Sequence, residues 1–116
     1  MHGYEEKLRR LAIHDEESVG SAVGGTVDDD STLSARELGL IRMAATVATD
    51  APASSFAWAA SRAEAAGATA DDIVGVLEAV APIVGSAIVV SASPKVAQAV
   101  GYDLDSDLEG PVVRER

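Results

Sequence analysis

Cysteine is absent from this 116-residue chain, and aromatic residues make up only 3% of it. The first absence excludes disulfides, thiolate metal sites and any thiol peroxidase chemistry carried by the chain itself. The second, with apolar residues that are mostly Ala and Val, means a core of small side chains burying little area per residue. Basic residues are scarce too: Lys and Arg number 9 against 19 Asp and Glu, a formal net charge of −10. Such a chain repels polyanions, so neither nucleic acid nor an anionic membrane is an expected partner. No apolar run approaches the length of a transmembrane helix. The start, MHGYEEKLRR, turns charged at once and does not read as a signal peptide. A soluble cytoplasmic protein is the expectation. No segment alternates cleanly between apolar and polar, so β structure has little support.

What is present is apolar character, 47% of the residues, on a chain of single-domain length. A domain this small with small side chains has a marginal core of its own. Burial is therefore expected to be completed by a second copy, as a homo-oligomer.

Helix punctuation is plentiful. Residues 4–13, YEEKLRRLAI, carry Leu8, Leu11 and Ala12 at helical spacing, with Glu5 and Glu6 early and Arg9 and Arg10 late, as the helix dipole favours. Asp15 can cap a second short helix, EESVGSAV. GGTVDDDST then reads as a Gly- and Asp-rich linker. Ser34 and Glu37 form an S-x-x-E capping box opening LSARELGLIRMAATVAT, which Pro52 brings to an end. The next helix spans about 53–66, with Gly67 beyond its end. Thr69 and Asp72 open another, which Pro82 kinks or splits. IVGSAIVVSA is apolar almost all round and belongs in a core or an interface. Ser93-Pro94 fits a cap and first-turn proline opening KVAQAV, closed by Gly101. The expectation is an all-α fold of six or seven short helices. Residues 1–32 form N-terminal helices and linker, 33–102 a helical core and 103–116 an acidic tail.

The segment around 53–67 has two rows of small residues at four-residue spacing: Ala59, Ala63 and Gly67, and Ala53, Ala57, Ser61 and Ala65. Rows of this kind let another helix backbone approach closely. On another face, Ser55, Trp58, Ala59 and Arg62 share one side. Trp58 could wall a pocket, with Arg62 offering a forked cation to a carboxylate; plain packing for Trp58 and a surface ion pair for Arg62 are the simpler readings.

The order of three parts, RELGLIRMAA, the helix ending EAAGAT, and ADDIVGVLEAVAPIVG, resembles the carboxymuconolactone decarboxylase family, which is similar in fold to the alkylhydroperoxidase D proteins. LRRLAIHDEESV also resembles the start of short members, and together the match covers about 8–102. The resemblance implies an alkylhydroperoxidase D-like helical fold assembled as a dimer, trimer or hexamer. Redox members carry C-x-x-C-x-x-x-H on the second helix of this run. Anchored on Gly67, those positions fall at Pro52, Ser55 and Ala59, and none of the three residue types is retained. The resemblance therefore implies the fold without the peroxidase. Decarboxylase-type members often carry a His where Ala59 stands. The only histidines are His2 and His14, and His14, just before the Asp15 cap, reads as a surface junction residue.

Glu37 corresponds roughly to an acidic proton-relay residue of the redox members, although the capping box alone explains it. Arg42 sits in mid-helix among apolar residues, where a charge must be paired or line a cavity. The leading expectation is a small-molecule enzyme or binder with a pocket between the Glu37–Arg42 and Ser55–Arg62 segments. There Arg42 and Arg62 would hold a small carboxylate or lactone, Trp58 and Ser55 would shape the site, and Glu37 would donate a proton as in a decarboxylase-type lyase. The alternative is a catalytically inactive helical oligomer. No cofactor and no metal is expected: the Asp run at 28–30 and DLDSDLE at 103–109 lack the Gly and terminal Glu spacing of a calcium loop.

Overall fold

The structure, a computed structural model, describes residues 3–25, 31–104 and 106. These contain six helices and no strand: α1 (Gly3–Ala12), α2 (Glu16–Val23), α3 (Ala35–Ala48), α4 (Ala53–Ala65), α5 (Ala70–Val84) and α6 (Ser86–Ala99). The chain divides into two compact units, Met1–Thr32 and Leu33–Arg116. The Asp run at 28–30, most of the linker and nearly all of the 103–116 tail lie outside the described residues.

The first unit is held by local bonds. Glu6 receives Arg9 through Nε at 3.1 Å and Nη2 at 2.8 Å, and Arg10 Nε at 2.8 Å. These charge-assisted bonds hold its carboxyl down at about 2. Asp15 caps α2, accepting from Ser18 N at 3.0 Å and Ser18 Oγ at 2.7 Å. His14 occupies the junction at a φ of 59°, in the left-handed region. Neither α1 nor α2 buries a residue. Tyr4, Leu8, Leu11, Ile13 and Val23 all remain exposed.

The second unit is built from α3 to α6. Two reciprocal capping boxes start α3 and α5. Ser34 Oγ accepts from Glu37 N at 3.0 Å while Ser34 N donates to Glu37 Oε1 at 2.7 Å. Thr69 Oγ1 accepts from Asp72 N at 3.1 Å while Thr69 N donates to Asp72 Oδ2 at 2.9 Å. Each box satisfies two backbone N–H groups that a helix start otherwise leaves without an acceptor. Asp72 also meets Arg36 Nη2 at 2.8 Å, joining the two helix starts. Just past the end of α4, Gly67 has a φ of 101°, a left-handed value that favours glycine.

α3 packs on α4 and α5, and α6 packs on the same two helices and, less extensively, on α3. The core between them is small-residue packing around one aromatic ring. Phe56, Met43, Val47, Ala60, Ala63 and Ala92 are fully buried, and Ile73, Val96 and Ala59 nearly so. α3 approaches α4 closely at Gly39. A Cβ built there would lie 2.9 Å from Ala63 Cα and 3.2 Å from Ala63 Cβ, so the two backbones meet where no side chain fits.

Three expectations need correction. Of the two small-residue rows on α4, only Ala59 and Ala63 pack; Ala53, Ala57, Ser61 and Ala65 are exposed. The row opposite Gly39 is the one that a second backbone can reach. Pro94 does not open a helix: α6 runs through it. Ala92 and Val96, buried on either side of Pro94, hold the backbone helical against the proline's preference, and Ser93 Oγ bonds back to Val89 O at 2.7 Å. Pro82 does not split α5 either. It sits in the last turn, and the break falls at Gly85, whose φ of 86° and ψ of 167° lie in a region open essentially to glycine only.

The glycines of α3 and α5 should respond oppositely to alanine. At Gly39 the clash is with backbone that cannot swing aside, an overpacking cost of about 1–3 kcal/mol that outweighs the gain in helix propensity. Gly75, in mid-α5, has nothing within 4 Å of a built Cβ, so Gly75→Ala should stabilise by about 0.5–1 kcal/mol. Urea unfolding should show a lower midpoint for Gly39→Ala and a higher one for Gly75→Ala. Equal shifts would show that the α3–α4 approach is not tight.

Candidate functional site

The Gly39–Ala63 approach draws α3 and α4 together along one line. Beside that line their diverging surfaces leave an open groove of about 160 Å³. From α3 it is lined by Ala35, Leu38, Gly39 and Arg42, and from α4 by Trp58, Ala59 and Arg62, with Ala66 just beyond. The α3 residues are spaced i, i+3, i+4, i+7, which is one helical face.

Three of the residues expected at a site are therefore together: Arg42, Trp58 and Arg62 line one groove. The Arg62 guanidinium carbon stands 4.9 Å from the Trp58 ring centroid. At that distance the cation is held by the ring face and its fork is pre-positioned. Trp58 is 60% exposed, so it forms a wall rather than core. Neither of the other two expected residues is among the lining. Glu37 is exposed, its carboxylate engaged by Ser34 N in the capping box. Ser55 is half-buried one turn earlier on α4.

The electrostatics of the groove are simple. Its lining holds two arginines and no carboxylate, on a chain whose net charge is −10. Leu38, Ala59 and the indole supply apolar walls beside the two guanidinium groups. Pockets for drug-sized ligands measure about 300–1,000 Å³, so this groove is smaller than those. No lining residue is a histidine, an acid or a thiol able to move a proton at neutral pH. Among the described residues, no group of three or more His, Cys, Asp or Glu side chains could hold a metal ion. No helix among them is long and apolar enough to cross a membrane.

A second cluster was not foreseen. Asp50, at the turn between α3 and α4, accepts from Ser91 Oγ at 2.8 Å and Lys95 Nζ at 3.2 Å, both on α6. Lys95 Nζ also donates to Ala51 O at 2.8 Å and lies 5.5 Å from the Phe56 ring centroid. Asp50 itself has a φ of 49°, a left-handed conformation that Asp tolerates better than most side chains. The one sequence signal was the spacing of Ser91 and Lys95, four apart on one face; their partner lies over forty residues away. These bonds clasp the α3–α4 turn to α6.

Compared with protein-family models, curated proteins and solved structures, the chain matches none of them. The site's interpretation accordingly rests on its own residues.

The clasp predicts a pH dependence. Hydrogen bonds from Ser91 and then Lys95 hold the Asp50 carboxyl below its ordinary value of 3.8. A lowered folded value contributes stability that is complete above 3.8 and is lost as pH falls through the folded value. Asp50→Asn keeps the shape and the left-handed tolerance but removes the charge. Its urea midpoint should fall below wild type at pH 6, and the gap should close as the pH is taken below 3.8. A gap of constant size across that range would show that the charge contributes nothing.

Proposed function

We propose that this chain binds a small organic carboxylate or lactone in the α3–α4 groove, as a carboxymuconolactone decarboxylase-like protein of alkylhydroperoxidase D-like fold. The observation that carries the reading is the joint placement of Arg42, Arg62 and Trp58 around a groove with no lining carboxylate. A guanidinium fork matches a carboxylate bidentately, and the Trp58 face offers a flat wall for the rest of the ligand. The three-part resemblance from RELGLIRMAA to ADDIVGVLEAVAPIVG supports the same substrate class. Binding is better supported than turnover. Decarboxylation needs a proton returned to carbon, and Glu37, the acid proposed for that step, is engaged in the α3 cap. If Glu37 acts, it must leave the cap to reach the groove.

The second reading, a catalytically inactive helical oligomer in the cytoplasm, is favoured by the absence of any proton-transfer group in the groove lining.

A thermal-shift screen of small mono- and dicarboxylates and lactones tests the first reading. A ligand at a hundred times its dissociation constant adds roughly 2.7 kcal/mol, several degrees of melting temperature for a domain of this length. The expected outcome is a shift with at least one carboxylate that disappears in Arg42→Ala while the variant keeps its helical circular dichroism. Unchanged affinity in the variant would remove Arg42 from the site, and turnover of a bound ligand would overturn the inactive reading.

A further inference from the structure

α6 is continuous over 14 residues although Pro94 lies in its interior. A proline there has no N–H to give to the Val90 carbonyl four residues back, and its ring crowds that carbonyl. It also biases the residue before it, Ser93, away from helix. The turn from Val90 to Pro94 is therefore a weak one, and a break there leaves two pieces, 86–93 and 94–102. One carboxylate oxygen reaches both pieces. Asp50 Oδ1 accepts from Ser91 Oγ at 2.8 Å, before the proline, and from Lys95 Nζ at 3.2 Å, just after it. Lys95 Nζ also donates to Ala51 O at 2.8 Å. The anchor is itself fixed. Asp50 N donates to Val47 O at 3.0 Å and Ala51 N to Thr46 O at 3.3 Å, tying both residues to the end of α3. The left-handed φ of 49° at Asp50 is uncommon outside glycine and persists where the surroundings hold it.

We propose that Asp50 is a catch on the C-terminal part of α6. While Ser91 and Lys95 are both bound to it, the helix is held whole across Pro94. When it lets go, the segment 94–102 opens as a unit while α3 to α5 stay folded. What opening uncovers is the core. Val96 is buried, and Ala99 and Val100 pack against the same cluster. The Lys95 ammonium stands 5.5 Å from the ring centroid of Phe56, which is fully buried. An ion pair as open to solvent as Asp50 and Lys95 adds little to a helix whose bonds are complete. This pair acts at a turn short of a bond, where a small contribution decides between one helix and two. A segment that opens in this way exchanges its amides by local opening, at a free energy below that of global unfolding. The groove on α3 and α4 plays no part, so the catch is independent of the proposed ligand.

Native-state hydrogen exchange on the full chain, resolved by residue with NMR, tests the catch. Asp50→Gly removes the carboxylate and suits the left-handed φ. Lys95→Met, a second and milder variant, removes the ammonium and keeps an apolar stem. In each, the amides of 95–102 should exchange about five-fold faster or more, while the slowest amides of α3 and α5 speed up less. The same two changes in a Pro94→Ala background should accelerate 95–102 less, because alanine returns the N–H that the Val90 carbonyl lacks. Equal acceleration across α3 to α6 would show a general loss of stability and overturn the catch. So would exchange at 95–102 that is unchanged, or that is accelerated equally with and without the proline.

Discussion

The second unit depends on one steric constraint, the meeting of the α3 and α4 backbones at Gly39 and Ala63. A core in which Ala59, Ala60, Ala63 and Ala92 surround a few larger side chains gains by closeness. Removing side-chain bulk at one crossing brings the helices together over the core that Met43, Val47 and Phe56 fill. The same crossing shapes the groove. Gly39 and Ala59 belong to both surfaces: each lines the groove, and each is buried. The separation of Arg42 from Trp58 and Arg62 is thus set by the packing that stabilises the fold. Rigid helices, not loops, hold all three residues, which favours a preformed site over one assembled on binding.

The few cations are placed with economy. Arg9 and Arg10 serve Glu6 within α1. Arg36 reaches Asp72 across two helix starts, and Lys95 holds the turn at Asp50. These surface pairs contribute little stability each; they bridge α3 to α5, and α6 to the α3–α4 turn. Arg42 and Arg62 line one groove together with Trp58.

Much of the helical punctuation was legible in the sequence because its chemistry is local. Both capping boxes, the Asp15 cap and the glycine endings at 67 and 101 depend on residues within a turn of each other, and all are present. The groove face was legible for the same reason: helical spacing alone places Trp58, Ala59 and Arg62 on one side. Ser55 satisfies that spacing too, yet lies outside the groove, because spacing along α4 does not say how far α3 extends beside it. The prolines misled for the opposite reason. Local preference puts a helix boundary before Pro94, but burial of Ala92 and Val96 on one side of α6 outweighs it. The clasp of Asp50 to Ser91 and Lys95 was illegible, since nothing near position 50 marks a partner on the last helix.

The two rows of small residues on α4 show most clearly what sequence pattern leaves undetermined. Both have four-residue spacing, and either could receive a backbone. What distinguishes them lies on the other helix. Gly39 is the position in α3 where a Cβ is missing and the neighbouring core residues, Met43 and Val47, continue at four-residue spacing below it. A stripe of that kind has one bare point, and the row of α4 that settles on it is the one that also turns Phe56 inward and leaves Trp58 at the surface. Had the other row packed, those two aromatic residues would no longer stand one in the core and one at the groove. The placement of the single Phe and the single Trp is therefore the sequence's discriminating signal for the packing of this helix, and it becomes readable only once the glycine opposite is known.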